Sequence, residues 1–232
     1  MRLMKTPKKV ELLVTNRCNL RCRYCSYYTS PAEVDGDLAT EEWLTFFEEL
    51  GRCAVMEVTL EGGEAFIRDD FGELIDGVVR NRMRFTILTN GTLITEEMAG
   101  HIGATGRCNG VQVSIDGSTG DVHDSCRGNG NFDRAMQGIH RLRHHGVPIT
   151  VRVTIHRYNA EDIENVARLL LEDIGLPGFS TNSASFLGLC RENAGDIQLT
   201  IDQRSNVMET LLRLDRAYPG RISAQAGPLA EA

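Results

Sequence analysis

The chain has 232 residues, 41% hydrophobic, 25% charged and 6% aromatic, with 23 Gly and 6 Pro, a composition that excludes disordered, collagen-like and low-complexity classes. Its 25 Lys and Arg against 32 Asp and Glu give a net charge of −7, which disfavours broad electrostatic capture of nucleic acid or of a membrane surface. Seven cysteines, odd in number, unevenly spaced and preceded by no secretory apolar segment, read as thiols in a reducing cytoplasm rather than as a disulfide framework.

In chain order, β-branched and apolar runs predict strands at residues 10–14, 55–60, 85–88, 111–115, 149–155 and 179–184. Helical patterns follow them. Thr40 is expected to cap the first helix, with Glu41 and Glu42 in its first turn; Trp43, Leu44, Phe46, Phe47 and Leu50 form its apolar face before Gly51. Thr95 caps a helix that opens on Glu96 and Glu97, and Asn131 opens one that ends at His144-His145-Gly146. Asn159 is expected to open another, closed by Gly175 and Pro177, and Thr200-Ile-Asp-Gln203 is a capping box for the last. The longest uncharged stretch, residues 174–190, carries Thr181, Asn182, Ser183 and Ser185 and is too polar to span a membrane.

Strands alternating with helices at this spacing imply right-handed βαβ units, a parallel sheet and an α/β fold. Six units are counted, and a closed eightfold barrel takes about 250 residues, so the alternatives are a six-unit partial barrel and an open doubly wound sheet. No Pro/Gly/Ser-rich linker divides the chain, which predicts one domain over 1–232.

The densest chemical signal is Cys18-Asn-Leu-Arg-Cys22-Arg-Tyr-Cys25, directly after the first predicted strand. Thiolates packed this closely select zinc or an iron–sulfur cluster. A structural zinc site and a ferredoxin cluster both take four ligands, and no fourth lies near: Cys53 is in the first helix and the nearest His is His101. Three ligands point to a metal centre with one position open to a substrate or cofactor.

This segment resembles the hallmark of the radical SAM superfamily, a Cys-x-x-x-Cys-x-aromatic-Cys loop with Tyr24 as the aromatic. The resemblance implies a partial (β/α)6 TIM-like barrel and a [4Fe–4S] cluster on Cys18, Cys22 and Cys25, the residues expected to be catalytic. It also implies S-adenosylmethionine chelated at the fourth iron, cleaved by one electron to a 5′-deoxyadenosyl radical that abstracts hydrogen from substrate, and a reductant such as flavodoxin or ferredoxin. Further motifs fall at successive strand ends, where parallel α/β proteins place function. Gly62-Gly63-Glu64 is similar to the family's Gly-Gly-Glu-Pro motif at the methionyl amino group, with Ala65 in place of Pro. Asn90, in Thr89-Asn90-Gly91, and Ser114 and Asp116, in Ser114-Ile115-Asp116-Gly117, match segments that line the S-adenosylmethionine site, the latter two at the ribose or carboxylate. By themselves Asn-Gly and Asp-Gly are ordinary turn dipeptides. Arg127 matches an arginine that peptide-modifying members use on the carboxylate. Thr154 and residues 183–185 end the last two strands and are candidates for the adenine or substrate edge.

The stretch from Val113 to Phe132 looks like the branch containing sulfatase maturases, the pyrroloquinoline quinone E protein and SynChlorMet-type peptide maturases, which implies a peptide or protein substrate. Those members carry a C-terminal cysteine-rich SPASM extension that this chain does not show, so a catalytic-core fragment or a shortened member is expected. Two other readings stand beside it: a superfamily member acting on a nucleotide-derived small molecule, and a non-catalytic iron–sulfur carrier, which would leave Gly62, Gly63, Glu64, Ser114 and Arg127 unused. His140 and His144 are four apart, and their place in a C-terminal helical turn favours a helix-dipole role over a metal site. Cys53, Cys108 and Cys190 read as isolated buried thiols, Cys126 receives no role, and Leu169, Leu170, Leu171, Leu211, Leu212 and Leu214 read as core.

Overall fold

The structure, a computed structural model, describes residues 6–26, 28 and 36–224. Strands and helices alternate as β1 (Lys9–Thr15), α1 (Thr40–Arg52), β2 (Glu57–Gly62), α2 (Phe71–Arg80), β3 (Arg84–Thr89), α3 (Glu96–Ala104), β4 (Cys108–Ser114), α4 (Gly120–Arg127), α5 (Asn131–His144), β5 (Ile149–Ile155), α6 (Ile163–Arg168), β6 (Phe179–Ser183), α7 (Gly188–Glu192), α8 (Ala194–Ile197), α9 (Ile201–Ala217) and β7 (Ile222–Ala224). The six expected strands are present, each within three residues of the expected bounds. The seventh, β7, was not expected, because three residues are too few to show a period.

Contacts group the described residues into two compact units, each assembled from separate stretches of sequence: 6–19, 36–112 and 137–149 in the first, and 20–26, 28, 113–136 and 150–224 in the second. Within the first unit the strand order follows the chain, with β1 parallel to β2 and β2 to β3, Val10 facing Val58 and Val58 facing Phe85. Within the second, β5, β6 and β7 are parallel in the same manner, with Thr154 facing Asn182.

The core of the first unit is built by period. Phe71, Leu74, Ile75 and Val78 recur at helical spacing on α2 and are 0% exposed, as are Phe47 on α1 and Phe85 and Ile87 on β3. Each such side chain contributes about 1.5–3 kcal/mol by leaving water. Trp43 stacks on Phe47 with ring centroids 5.9 Å apart. Arg68, although charged, is buried: it pairs with Asp70 and donates to the Val14 carbonyl, tying the end of β1 to the start of α2.

Local punctuation is confirmed at two helices and corrected at two. Thr95 Oγ1 accepts from the Met98 N–H, and Thr200 and Gln203 form the reciprocal capping box. The first helix begins at Thr40 itself with Ala39 before it; Glu42 accepts from the Ala39 N–H, while Thr40 donates to Asp70. Asp162, not Asn159, precedes α6. Helix α4 was not expected, since its sequence, Gly-Asp-Val-His-Asp-Ser-Cys-Arg, has no apolar period. Leu212 is 46% exposed and Cys53 is exposed, against the expectation of burial for both.

Candidate active site

In the first unit, the loop after β1 lies on the turn after β2. The Gly63 N–H donates to the Thr15 carbonyl and the Glu64 N–H to the Arg17 carbonyl, each at 2.9 Å. A Cβ on Gly62 would stand 2.3 Å from the Thr15 oxygen, and one on Gly63 would stand 2.3 Å from the Arg17 oxygen. Only glycine allows this approach, which sets the backbone immediately before Cys18.

Glu64 is 1% exposed. Its carboxylate accepts from Thr89 Oγ1 at 2.7 Å, from the Asn90 N–H at 2.7 Å and from the Phe66 N–H at 3.2 Å, so it binds the end of β2 to the turn after β3. Asn90, also buried, donates from Nδ2 to Asn19 Oδ1 at 2.9 Å and lies 3.9 Å from Cys18 Sγ. Gly62, Gly63, Glu64, Asn90 and Cys18 are thus gathered in one place.

The second unit gathers Tyr24, Asp116 and Arg127, with Cys22 packed against Tyr24, Cys126, Cys190 and Ile197. Asp116 is 0% exposed. It accepts from the Tyr24 hydroxyl, from Arg127 Nε at 2.5 Å and from the Thr154 N–H at 2.8 Å. Its own N–H donates to His123 Nδ1, and its carbonyl accepts from Asn159 Nδ2. The Tyr24 ring stacks on His156 at 5.4 Å and lies 5.4 Å from the Arg127 guanidinium.

Burial alone would raise the Asp116 carboxyl; the Arg127 guanidinium, aided by His156 and His123, outweighs it and holds the group below the usual carboxylate range. Burial likewise opposes charge on Arg127, and the Asp116 carboxylate overcomes it, raising the guanidinium well above its ordinary value. Burial drives the Tyr24 phenol well above its ordinary value, which keeps its proton for the bond to Asp116. His123 and His156 are pushed by burial down to about 4. Their Nδ1 atoms accept backbone N–H groups, from Asp116 and Tyr158 respectively, so both rings are neutral with hydrogen on Nε2. Neither Nε2 has a hydrogen-bond partner among the described residues.

The loop bearing Cys22 and Cys25 is held by residues far along the chain. The Arg23 N–H donates to the Cys126 carbonyl, the Cys190 N–H donates to the Cys25 carbonyl, and Asn193 Nδ2 donates to the Arg23 carbonyl. Cys18 in the first unit and Cys22 and Cys25 in the second are half-buried thiols, none in a disulfide, and thiolate is the ligand that iron–sulfur clusters take. Ser114 is half-buried at the end of β4, Thr154 is buried and bonded to Asn182, Ser183 is half-buried, and Ser185 is exposed. Three contributors carry no site motif in the sequence: His123, His156 and Asn159. The available signal was a polar residue at the end of a β-branched strand, which His156 supplies after Ile155.

No helix among the described residues is long and apolar enough to cross a membrane. The family model for the radical SAM superfamily matches residues 12–170. The chain is 35% identical over 161 residues to the Fe-coproporphyrin III synthase of Methanosarcina barkeri, covering 69% of this chain and 40% of that protein. It is 35% identical over 157 residues to the mycofactocin maturase MftC of Mycobacterium tuberculosis, covering 67% and 40%. The chain therefore spans about two fifths of the length of these relatives. Among solved structures, Streptococcus suis SuiB bound to S-adenosylmethionine superposes with a TM-score of 0.77 at 16% identity over 96% of this chain and 51% of SuiB; SuiB has also been solved bound to its precursor peptide SuiA. The fold is shared with SuiB, and the family match spans most of the chain, from the middle of β1 through the cysteine loop to the end of α6: this chain belongs to the radical SAM superfamily.

Proposed function

We propose that this chain is the cofactor-binding core of a radical SAM enzyme that modifies a peptide side chain during maturation of a ribosomal peptide or protein. The observation that carries the reading is the Cys18, Cys22, Cys25 spacing on three half-buried thiols, inside the segment that the family model matches. The superfamily uses a [4Fe–4S] cluster and S-adenosylmethionine, which together supply reductive cleavage of the sulfonium and hydrogen abstraction from substrate. In this reading the three cysteines hold the cluster. Gly62 and Gly63 bring backbone close to the loop; Glu64 fixes the Thr89-Asn90-Gly91 turn. Arg127, locked by Asp116, presents positive charge toward a carboxylate, and Ser114 and Asn90 are polar residues that would line the cofactor. Asp116 acts as a positioning residue for Arg127 and Tyr24. An external one-electron donor such as flavodoxin or ferredoxin completes the system.

The peptide substrate is supported by the maturase among the relatives and by the precursor peptide bound to SuiB. A tetrapyrrole substrate is the second reading, favoured by the Fe-coproporphyrin III synthase match at equal identity. The test is anaerobic cluster reconstitution, reduction in the presence of S-adenosylmethionine, and measurement of 5′-deoxyadenosine. Cleavage is expected in the wild type, abolished by Cys22→Ala and retained in Cys53→Ala. A reduced cluster that neither binds nor cleaves S-adenosylmethionine overturns the reading. Hydrogen transfer from a deuterated peptide into 5′-deoxyadenosine, against transfer from a deuterated porphyrin, separates the two substrates.

A further inference from the structure

We infer that Glu96, His144 and His145 form a binding site for a borderline divalent transition ion, typified by Zn2+, that clasps the start of α3 to the end of α5. The sequence pairs His140 with His144 by spacing along one helix. The structure instead sets His144 beside His145, with rings in an edge contact 5.0 Å apart, and brings Glu96 to both from another helix. Glu96 Oε1 lies 2.7 Å from His145 Nε2 and 4.0 Å from His144 Nε2, and one ligand atom from each of the three residues falls within 4.8 Å of the others. Zinc–nitrogen bonds of about 2.0–2.1 Å require tetrahedral ligand atoms about 3.3 Å apart, a closure within the reach of side-chain rotation.

The donor chemistry is two imidazoles and one carboxylate. Imidazole suits zinc, copper and nickel, whereas calcium and magnesium take oxygen ligands. A water would complete the coordination. The surroundings are shaped for His145: Gly100 and Gly103 of α3 face it, and a Cβ on Gly100 would stand 3.2 Å from its ring, one on Gly103 2.6 Å from its carbonyl oxygen. A side chain at Gly100 would crowd the imidazole, and one at Gly103 would displace the His145 backbone that carries it. His145 is 30% exposed on its side chain, while His144 and Glu96 are open to solvent, so an ion can enter without rearrangement of the core.

The test is calorimetric titration of the cluster-loaded chain with Zn2+ under anaerobic conditions, with Co2+ as optical probe and thermal unfolding as second readout. One Zn2+ per chain is expected, with a rise in unfolding temperature that scales with free Zn2+. His145→Ala, His144→Ala and Glu96→Gln should each weaken binding about tenfold or more and remove the thermal shift, while His140→Ala changes neither. The bound Co2+ should show d–d bands without thiolate charge transfer. Equal affinity in wild type and all three ligand variants, no binding in the wild type, or a thiolate spectrum overturns the proposal. Cluster content and S-adenosylmethionine cleavage, measured on the same samples, report separately on the function proposed above.

Discussion

The Arg127 guanidinium and the Asp116 carboxylate meet at 2.5 Å with their side chains only 7% and 0% exposed. Breaking one side of such a pair leaves an uncompensated buried charge, which is expected to cost about 3–5 kcal/mol. Asp116→Asn should therefore lower the denaturant midpoint steeply, and adding Arg127→Met should recover part of the loss. An unchanged midpoint in Asp116→Asn would show that the pair does not form in solution.

The buried imidazoles set a pH window. His123 and His156 titrate near 4 in the folded chain, below the ordinary value of 6.5, so between these values the unfolded chain binds more protons. Stability should fall as pH drops from about 6.5 to about 4, by up to about 3 kcal/mol for each ring. Asp116, held below the usual carboxylate range, adds its loss only at still lower pH. Unfolding free energies measured across this range should flatten between pH 4 and 6.5 in His123→Gln and in His156→Gln; a slope equal to that of the wild type removes these rings as its cause.

Gly188 adopts φ +53°, and a Cβ there would stand 2.5 Å from the Tyr28 carbonyl oxygen and 2.7 Å from that of Ser26. Gly188→Ala should displace the backbone that follows Cys25. Asn193→Ala removes the bond to the Arg23 carbonyl, a loss of about 1 kcal/mol. Iron and sulfide content after reconstitution is expected to fall in both, more in Gly188→Ala, and full cluster occupancy in both variants would show that α7 and α8 do not hold the loop.

Glu64 is nearly inaccessible and accepts from Thr89, Phe66 and Asn90. Glu64→Gln keeps the shape but replaces one acceptor oxygen by a donor, at a cost of about 1–3 kcal/mol. Binding of S-adenosylmethionine should weaken while the cluster signal in electron paramagnetic resonance persists. Loss of the cluster would place Glu64 in support of Cys18 instead.

Thiol reactivity should divide the remaining cysteines. Burial pushes Cys108 and Cys126 up to about 11 and raises Cys190, whereas Cys53 is exposed. In the cluster-loaded native chain, iodoacetamide followed by peptide mapping should label Cys53 first and the other three only on unfolding. Early labelling of Cys126 would show that its pocket opens.

The sequence by itself determined what depends on neighbours along the chain. Strand and helix periods marked six strands, Thr95 and Thr200 declared their helices through side chains three residues from their partners, and the cysteine spacing and Gly62-Gly63-Glu64 stood out as short motifs. Helix α4 and strand β7 escaped because one lacks an apolar period and the other is three residues long. Tertiary structure alone decided the partnerships. Tyr24 and Asp116 are 92 residues apart, Glu96 and His145 are 49, and Asn193 and Arg23 are 170. Asn159 looked like a helix cap and is instead a buried donor to the Asp116 and Thr154 carbonyls. Such roles are invisible to local pattern because the energy of a buried polar group depends on what the fold sets against it, and that is fixed only when residues distant in sequence pack together within each unit.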